Sequence, residues 1–166
     1  MKRIFGLLVA LTMLMGANGV LAQTGSSDGH ALSVEVQAFD SITLGGTPPS
    51  FVITAEGEAT DTGSTIAWAT NETTRTITVQ SSLTAAAIDY AVTVEATNPV
   101  TSDGATPGTP AGAVTIPGSD ESAAAFITTI SQSSASATLE YVVDISVTDP
   151  TGTDSHTITY TFTADS

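Results

Sequence analysis

The run ATLEYVVDISV, residues 137–147, decides the fold. Leu139, Tyr141, Val143, Ile145 and Val147 hold every second position, with Glu140, Asp144 and Ser146 among the residues between them. Successive side chains of a β-strand point to opposite faces, so a period of two buries one face and leaves the other in water. A helix would need its apolar residues three and four apart. Outward from this run the pattern repeats. Ile158, Tyr160 and Phe162 stand between threonines, which suit a wet strand face because they are both β-branched and polar. Asp149, Pro150, Thr151 and Gly152 separate the two runs with turn chemistry. Residues 136–147 and 155–163 are therefore predicted to pair as an antiparallel hairpin.

Earlier in the chain, Leu32, Val34, Val36 and Ala38 alternate with Ser33, Glu35 and Gln37. Ile66 and Trp68, Ile77 and Val79, and Tyr90, Val92 and Val94 follow the same rule. Shorter strands are expected at 41–45, 50–55, 112–116 and 125–130. The breaks are turn-forming: Gly45 to Pro49, Asn71-Glu72 and Asn98-Pro99. Residues 99–111 form the longest expected loop, and 85–87 and 123–125 are each expected to make a helical turn. About nine short antiparallel strands in one chain imply an all-β protein, an immunoglobulin-like or Greek-key two-sheet sandwich, with a closed β-barrel as the alternative. The predicted core is Val34, Val36, Ile53, Trp68, Ile77, Val79, Val92, Val94, Leu139, Tyr141, Val143, Ile145, Ile158 and Tyr160.

The N-terminus carries a different signal. Lys2 and Arg3 precede an apolar run from Ile4 to Met15, and small residues lead to Ala22 before Gln23. A basic start, a short apolar stretch and a small residue at the cut describe a secretory signal peptide. A membrane span needs about 20 apolar residues, and this run is shorter. The expected organisation is a signal peptide at 1–22, a flexible mature N-terminus at 23–30 and one sandwich domain at 31–166. The expected location is secreted or on the cell surface, with the periplasm as a further possibility, and without stable membrane insertion once the signal is cut.

Cleavage changes the charge. The chain has three Lys+Arg and 17 Asp+Glu; with Lys2 and Arg3 gone, Arg75 is the one strong cation and the net charge becomes −16. No basic patch remains to neutralise phosphates, which argues against nucleic acid as a partner. The acidity favours solubility and mutual repulsion at low salt. The chain has no cysteine, so thiol catalysis, thiolate metal sites and disulfides are excluded.

Chemistry-bearing residues are few. His30 and His156 are the candidate general bases near neutral pH. His30 lies in the expected tail, and His156, in phase with Ile158 and Tyr160, reads as a partly buried turn histidine. No G-x-S-x-G or S-x-x-K motif accompanies the many serines. Three acidic loops are candidate cation sites: Glu56, Glu58 and Asp61; Asp120 and Glu121; Asp149 and Asp154. The last pair resembles a Ca²⁺ loop only in part, since it lacks the further oxygen ligands that ion takes. Asn71-Glu72-Thr73 fits a glycosylation sequon. Trp68, within an alternating strand, reads as a core residue rather than a sugar platform. The expectation is a protein without catalytic residues and without a required cofactor, Ca²⁺ being the one cofactor its acids leave open.

The stretches IAWATNETTRTITVQ (66–80), ATLEYVVDISV (137–147) and HTITYTFT (156–163) resemble those of a diffuse group of small secreted bacterial β-sandwich surface proteins. That group has no established activity and so implies no site residue here. A looser likeness is to pilin-type subunits, some of which lend a strand to a neighbour. This chain departs from them in having no cysteine pair and in placing Phe162 four residues before the end. Strand exchange here would have to use 31–39 itself. The function expected is a non-enzymatic structural or adhesive protein of the cell exterior, such as a filament, fimbrial or surface-layer subunit. Its expected partners are copies of itself or other surface proteins. A carbohydrate- or calcium-binding module is the alternative.

Overall fold

A computed structural model describes residues 28–85 and 90–164. The proposed signal peptide lies outside the described residues. The chain divides into two units, Met1–Glu35 and Val36–Ser166. The described part of the first, residues 28–35, is exposed and has no regular secondary structure.

The second unit carries nine strands: β1 (Asp40–Gly46), β2 (Gly57–Thr70), β3 (Arg75–Ser81), β4 (Ala91–Thr101), β5 (Thr109–Pro110), β6 (Val114–Thr115), β7 (Ala124–Ile130), β8 (Ser133–Ile145) and β9 (Ile158–Ala164). They form two antiparallel sheets, one of five strands in the order β1-β2-β8-β4-β6 and one of four in the order β5-β7-β3-β9. The two-sheet sandwich is the observed architecture, and the sheets do not close into a barrel.

The period-two pattern translates directly into burial. Along β8 the residues from Ser133 to Val143 alternate between buried and half-buried. Ile66, Trp68, Ile77, Val79, Val94, Leu139, Phe126, Ile127 and Ile130 are almost wholly enclosed. Tyr141 of β8 and Tyr160 of β9 reach across the core and bond hydroxyl to hydroxyl at 2.8 Å. The Phe126 ring lies against Tyr160 at 5.3 Å between centroids, tilted by 52°, a favourable aromatic arrangement. Burial raises the pKa of both tyrosines, because an ionised phenol would lose its hydration.

Several expectations are corrected. The 136–147 and 155–163 runs do not form a hairpin: β8 pairs with β2 and β4, whereas β9 pairs with β3 in the other sheet. Within the link, Asp149 closes a local turn on Ser146, accepting its N–H at 2.8 Å and donating its own N–H to its carbonyl at 3.1 Å. The rest of residues 146–157 carries the chain to the opposite sheet. Every connection after β1–β2 switches sheets in this way. Consecutive strands thus face each other across the core rather than side by side.

Residues 31–39 form no strand, and Val34 and Val36 are exposed rather than part of the core. Residues 50–54 likewise make no ladder, although Phe51 and Ile53 pack against the core. Ile145 and Ile158 also sit at its margin, and Val147 lies beyond β8, exposed. Residues 124–125 open β7 instead of a helical turn, since ladder bonds to β3 are available there. The expected loop 99–111 contains the end of β4 and all of β5.

Candidate functional site

The acidic loops hold their own backbone. Asp61 accepts the Gly63 N–H at 2.9 Å within a bulge of β2, Asp120 accepts that of Ala85 at 2.7 Å, and Glu121 accepts that of Gly118 at 2.9 Å. The Asp61 and Glu121 bonds are local turn bonds, whereas Asp120 holds a segment 35 residues away. Asp149 is committed to Ser146, as above, and Asp154 is exposed. Glu56 and Glu58 are also exposed. Among the described residues no group of three or more His, Asp or Glu side chains is gathered closely enough to hold a metal ion.

Two acids stand out that the sequence reading missed. Asp103 accepts the N–H groups of Ala105 (3.1 Å) and Ser134 (2.8 Å), which hold its carboxyl below the ordinary range. Asp40 opens β1 and meets Arg75 of β3 at 3.0 Å while accepting the Thr70 hydroxyl at 2.7 Å. That ion pair ties the two sheets together. Asn71 continues the β1–β2 ladder beside it. Its side-chain oxygen accepts the Phe39 N–H at 2.8 Å, and its amide donates to the Gln37 carbonyl at 2.8 Å. An asparagine bonded through both ends of its amide is a structural staple for 37–39 rather than a free glycan acceptor.

His156 is half-buried, with Nδ1 2.7 Å from the Ser81 hydroxyl. Ser81 also accepts the Leu83 N–H at 3.1 Å. A serine–histidine contact invites a nucleophile reading. Ser81, however, is only 3% exposed, and its oxygen closes a turn. His30 is exposed. Trp68 is 2% exposed and presents no face to a sugar.

A cleft of about 310 Å³ opens beside His156, lined by Leu44 to Gly46, Pro48, Pro49, Ser64, Leu139, Tyr141, Thr157 and Ile158. It lies where the edge strand of one sheet, β1, runs beside the edge strand of the other, β9. Gly46, at φ 79°, approaches the Gly63 carbonyl so closely that a Cβ would collide with it. That contact holds the end of β1 against the β2 bulge.

The outer face of the five-stranded sheet carries carboxylates in register. Glu95 stands directly opposite Glu140, and Glu58 directly opposite Asp144. Like charges so placed repel. The remaining unusual surface is apolar: Leu32, Val34 and Val36 are 87%, 73% and 76% exposed, and Phe39, Leu44, Val52 and Val100 are more than half exposed.

Comparison with protein-family models, with curated proteins and with solved structures finds no match to this chain.

Proposed function

We propose that this protein is an exported, non-enzymatic structural or adhesive subunit of the cell exterior that associates with copies of itself into a filament or surface layer. One observation carries the reading. Residues 31–38 have the alternation of a half-buried strand, yet they lie outside every ladder with their apolar side chains in water. An apolar strand face without a partner is a site of association. The basic and apolar start of the chain supports export. A mature charge of −16 keeps the subunits apart at low ionic strength and lets them meet once salt screens the repulsion. The serine–histidine contact supports the non-enzymatic part, because its hydroxyl is enclosed.

Negative-stain microscopy and light scattering of the mature chain, residues 23–166, test the proposal across NaCl concentrations, with and without Ca²⁺. Regular polymers that strengthen with NaCl are expected, with no requirement for Ca²⁺. Monodisperse monomers under all conditions would refute it. Assembly seen only with Ca²⁺ and reversed by a chelator would favour the calcium module instead.

A further inference from the structure

We infer that the acceptor for residues 31–38 is the outer edge of β9 in a second copy, where the segment becomes the fifth strand of the four-stranded sheet. This rests on the self-association reading and adds to it the identity of the interface.

The two sheets are unequal, and the shortfall is local. Leu44 of β1 lies opposite Ile66, and Ile42 opposite Trp68, so both point to the inner face of their sheet. Ile66 and Trp68 are buried, and Ile42 is partly covered, yet Leu44 remains 53% exposed. The opposing sheet ends at β9, and a further strand there would lie over Leu44 and the cleft beside it. The segment 31–38 has the face to do this. Leu32, Val34 and Val36 would turn inward, in line with Ile158, Tyr160 and Phe162, while Glu35 would turn outward beside the threonines of β9.

The edges differ in how they are guarded. Exposed edges are normally blunted by shortness, proline, charge or bulges. β5 and β6 have two residues each, and β5 contains Pro110. β1 starts at the ion-paired Asp40 and ends in two glycines before Pro48 and Pro49. β9 has seven residues, without charge, proline or glycine, and pairs with β3 in unbroken register. Among the described residues its other side has no strand partner. Meanwhile Asn71 holds residues 37–39 in line with β1, and β1 starts at the end where β9 finishes, since Asp40 meets Arg75 and Arg75 is opposite Ala164. The ladder is thus extended back as far as Gln37, at the end of the sandwich where β9 finishes. A neutral row of Thr159, Thr161 and Thr163 receives Glu35 with no opposing carboxylate.

A cysteine-free chain makes the test direct. Mature protein carrying Glu35→Cys is mixed with equal amounts of Thr159→Cys, Thr161→Cys or Thr163→Cys protein, assembled in salt and mildly oxidised. Directly opposed residues of an antiparallel pair have Cα atoms about 4.5–5.5 Å apart, within the disulfide range. A mixed disulfide dimer, identified by mass, is expected from at least one β9 position, with about tenfold lower yield from a Thr43→Cys control on β1. In parallel, Val34→Glu with Val36→Glu should abolish assembly while leaving the melting temperature unchanged, because both residues are exposed. Assembly of the parent chain with no β9 cross-link, with cross-linking at Thr43 instead, or undisturbed by the two glutamates would overturn this interface and leave the subunit reading standing. A parent chain that never assembles would overturn both.

Discussion

Replacing Glu140 with lysine should stabilise the fold, and by more than its effect on net charge. Glu140 of β8 faces Glu95 of β4 across one rung on the outer side of the larger sheet. Directly opposed side chains have Cβ atoms about 4.5–5.5 Å apart, which puts the two carboxylates at roughly 7 Å. At that distance two like charges in a water-like medium repel by about 0.6 kcal/mol. Lysine both removes the repulsion and adds an attraction of similar size, a total near 1 kcal/mol at low ionic strength. With a screening length of about 8 Å at 0.15 M salt, roughly half survives, and at 1 M almost none does. For a compact unit of this size 1 kcal/mol corresponds to about 4 °C in melting temperature. The assay is a set of thermal melts of the parent chain, Glu140→Lys and Asp154→Lys in 10 mM, 150 mM and 1 M NaCl. Asp154→Lys makes the same change in net charge at an exposed position outside the strands. Glu140→Lys should exceed it at low salt, and the three melting temperatures should converge at high salt. Equal shifts for the two lysine variants would refute the pairwise argument and leave only the overall field of the protein.

The buried tyrosine pair gives a second expectation: Tyr160→Phe leaves the Tyr141 hydroxyl enclosed without its partner and should cost about 1–3 kcal/mol, measured by urea unfolding, with the Tyr141→Phe/Tyr160→Phe double variant recovering part of the loss. Both phenols titrate above their ordinary value when folded, so the unfolded chain releases protons first and stability should fall as pH rises past about 10; alkaline melts should show a shallower fall in the double variant. Ser133 has a buried hydroxyl without a protein partner, so Ser133→Ala should be neutral or stabilising by up to about 1 kcal/mol, and a clear loss in its melt would mean that the hydroxyl is satisfied. Val143→Ala should cost about 1–4 kcal/mol, whereas Val36→Ala should stay within about 0.5 kcal/mol, and equal melting temperatures would reverse the inside–outside assignment. Intact mass of protein from the native host should match a chain beginning at Gln23, and a mass that includes residues 1–22 would remove the signal peptide.

Periodicity fixed which way most side chains face, and it did so because burying one face of a strand leaves a mark at every second residue. Trp68, Ile77, Val79, Val94, Leu139 and Tyr141 all follow it. Pairing leaves no such mark. β8 and β9 both alternate, and turn residues such as Pro150 and Gly152 between them are as compatible with a crossing between sheets as with a hairpin. What separates the two is the Tyr141–Tyr160 contact across the core, and that depends on every other strand being in place. Phe126, Ile127 and Ile130 escaped the predicted core for a related reason. The irregular register of β7 against β3, with Thr129 at φ 53°, breaks the period of two that would have revealed them. The roles of Asp40 and of Asp103 toward Ser134 were equally illegible, since Thr70 and Ser134 lie some thirty residues away in the sequence.

The segment 31–38 shows what a pattern can establish and what it cannot. Its alternation predicts a strand with one face in the core, but residues 31–39 form no strand, and Val34 and Val36 are exposed. A period of two specifies a face to be covered without specifying whose residues cover it. Two local features support the proposed neighbour, and neither is periodic. Asn71 spends both ends of its amide on residues 37 and 39, which holds them in line with the β1–β2 ladder. Leu44 stands at an inward position with the opposing sheet one strand too short to cover it. An alternating apolar segment outside every sheet and an edge strand without a second partner are complementary deficits, and the interface proposed above would resolve both between copies.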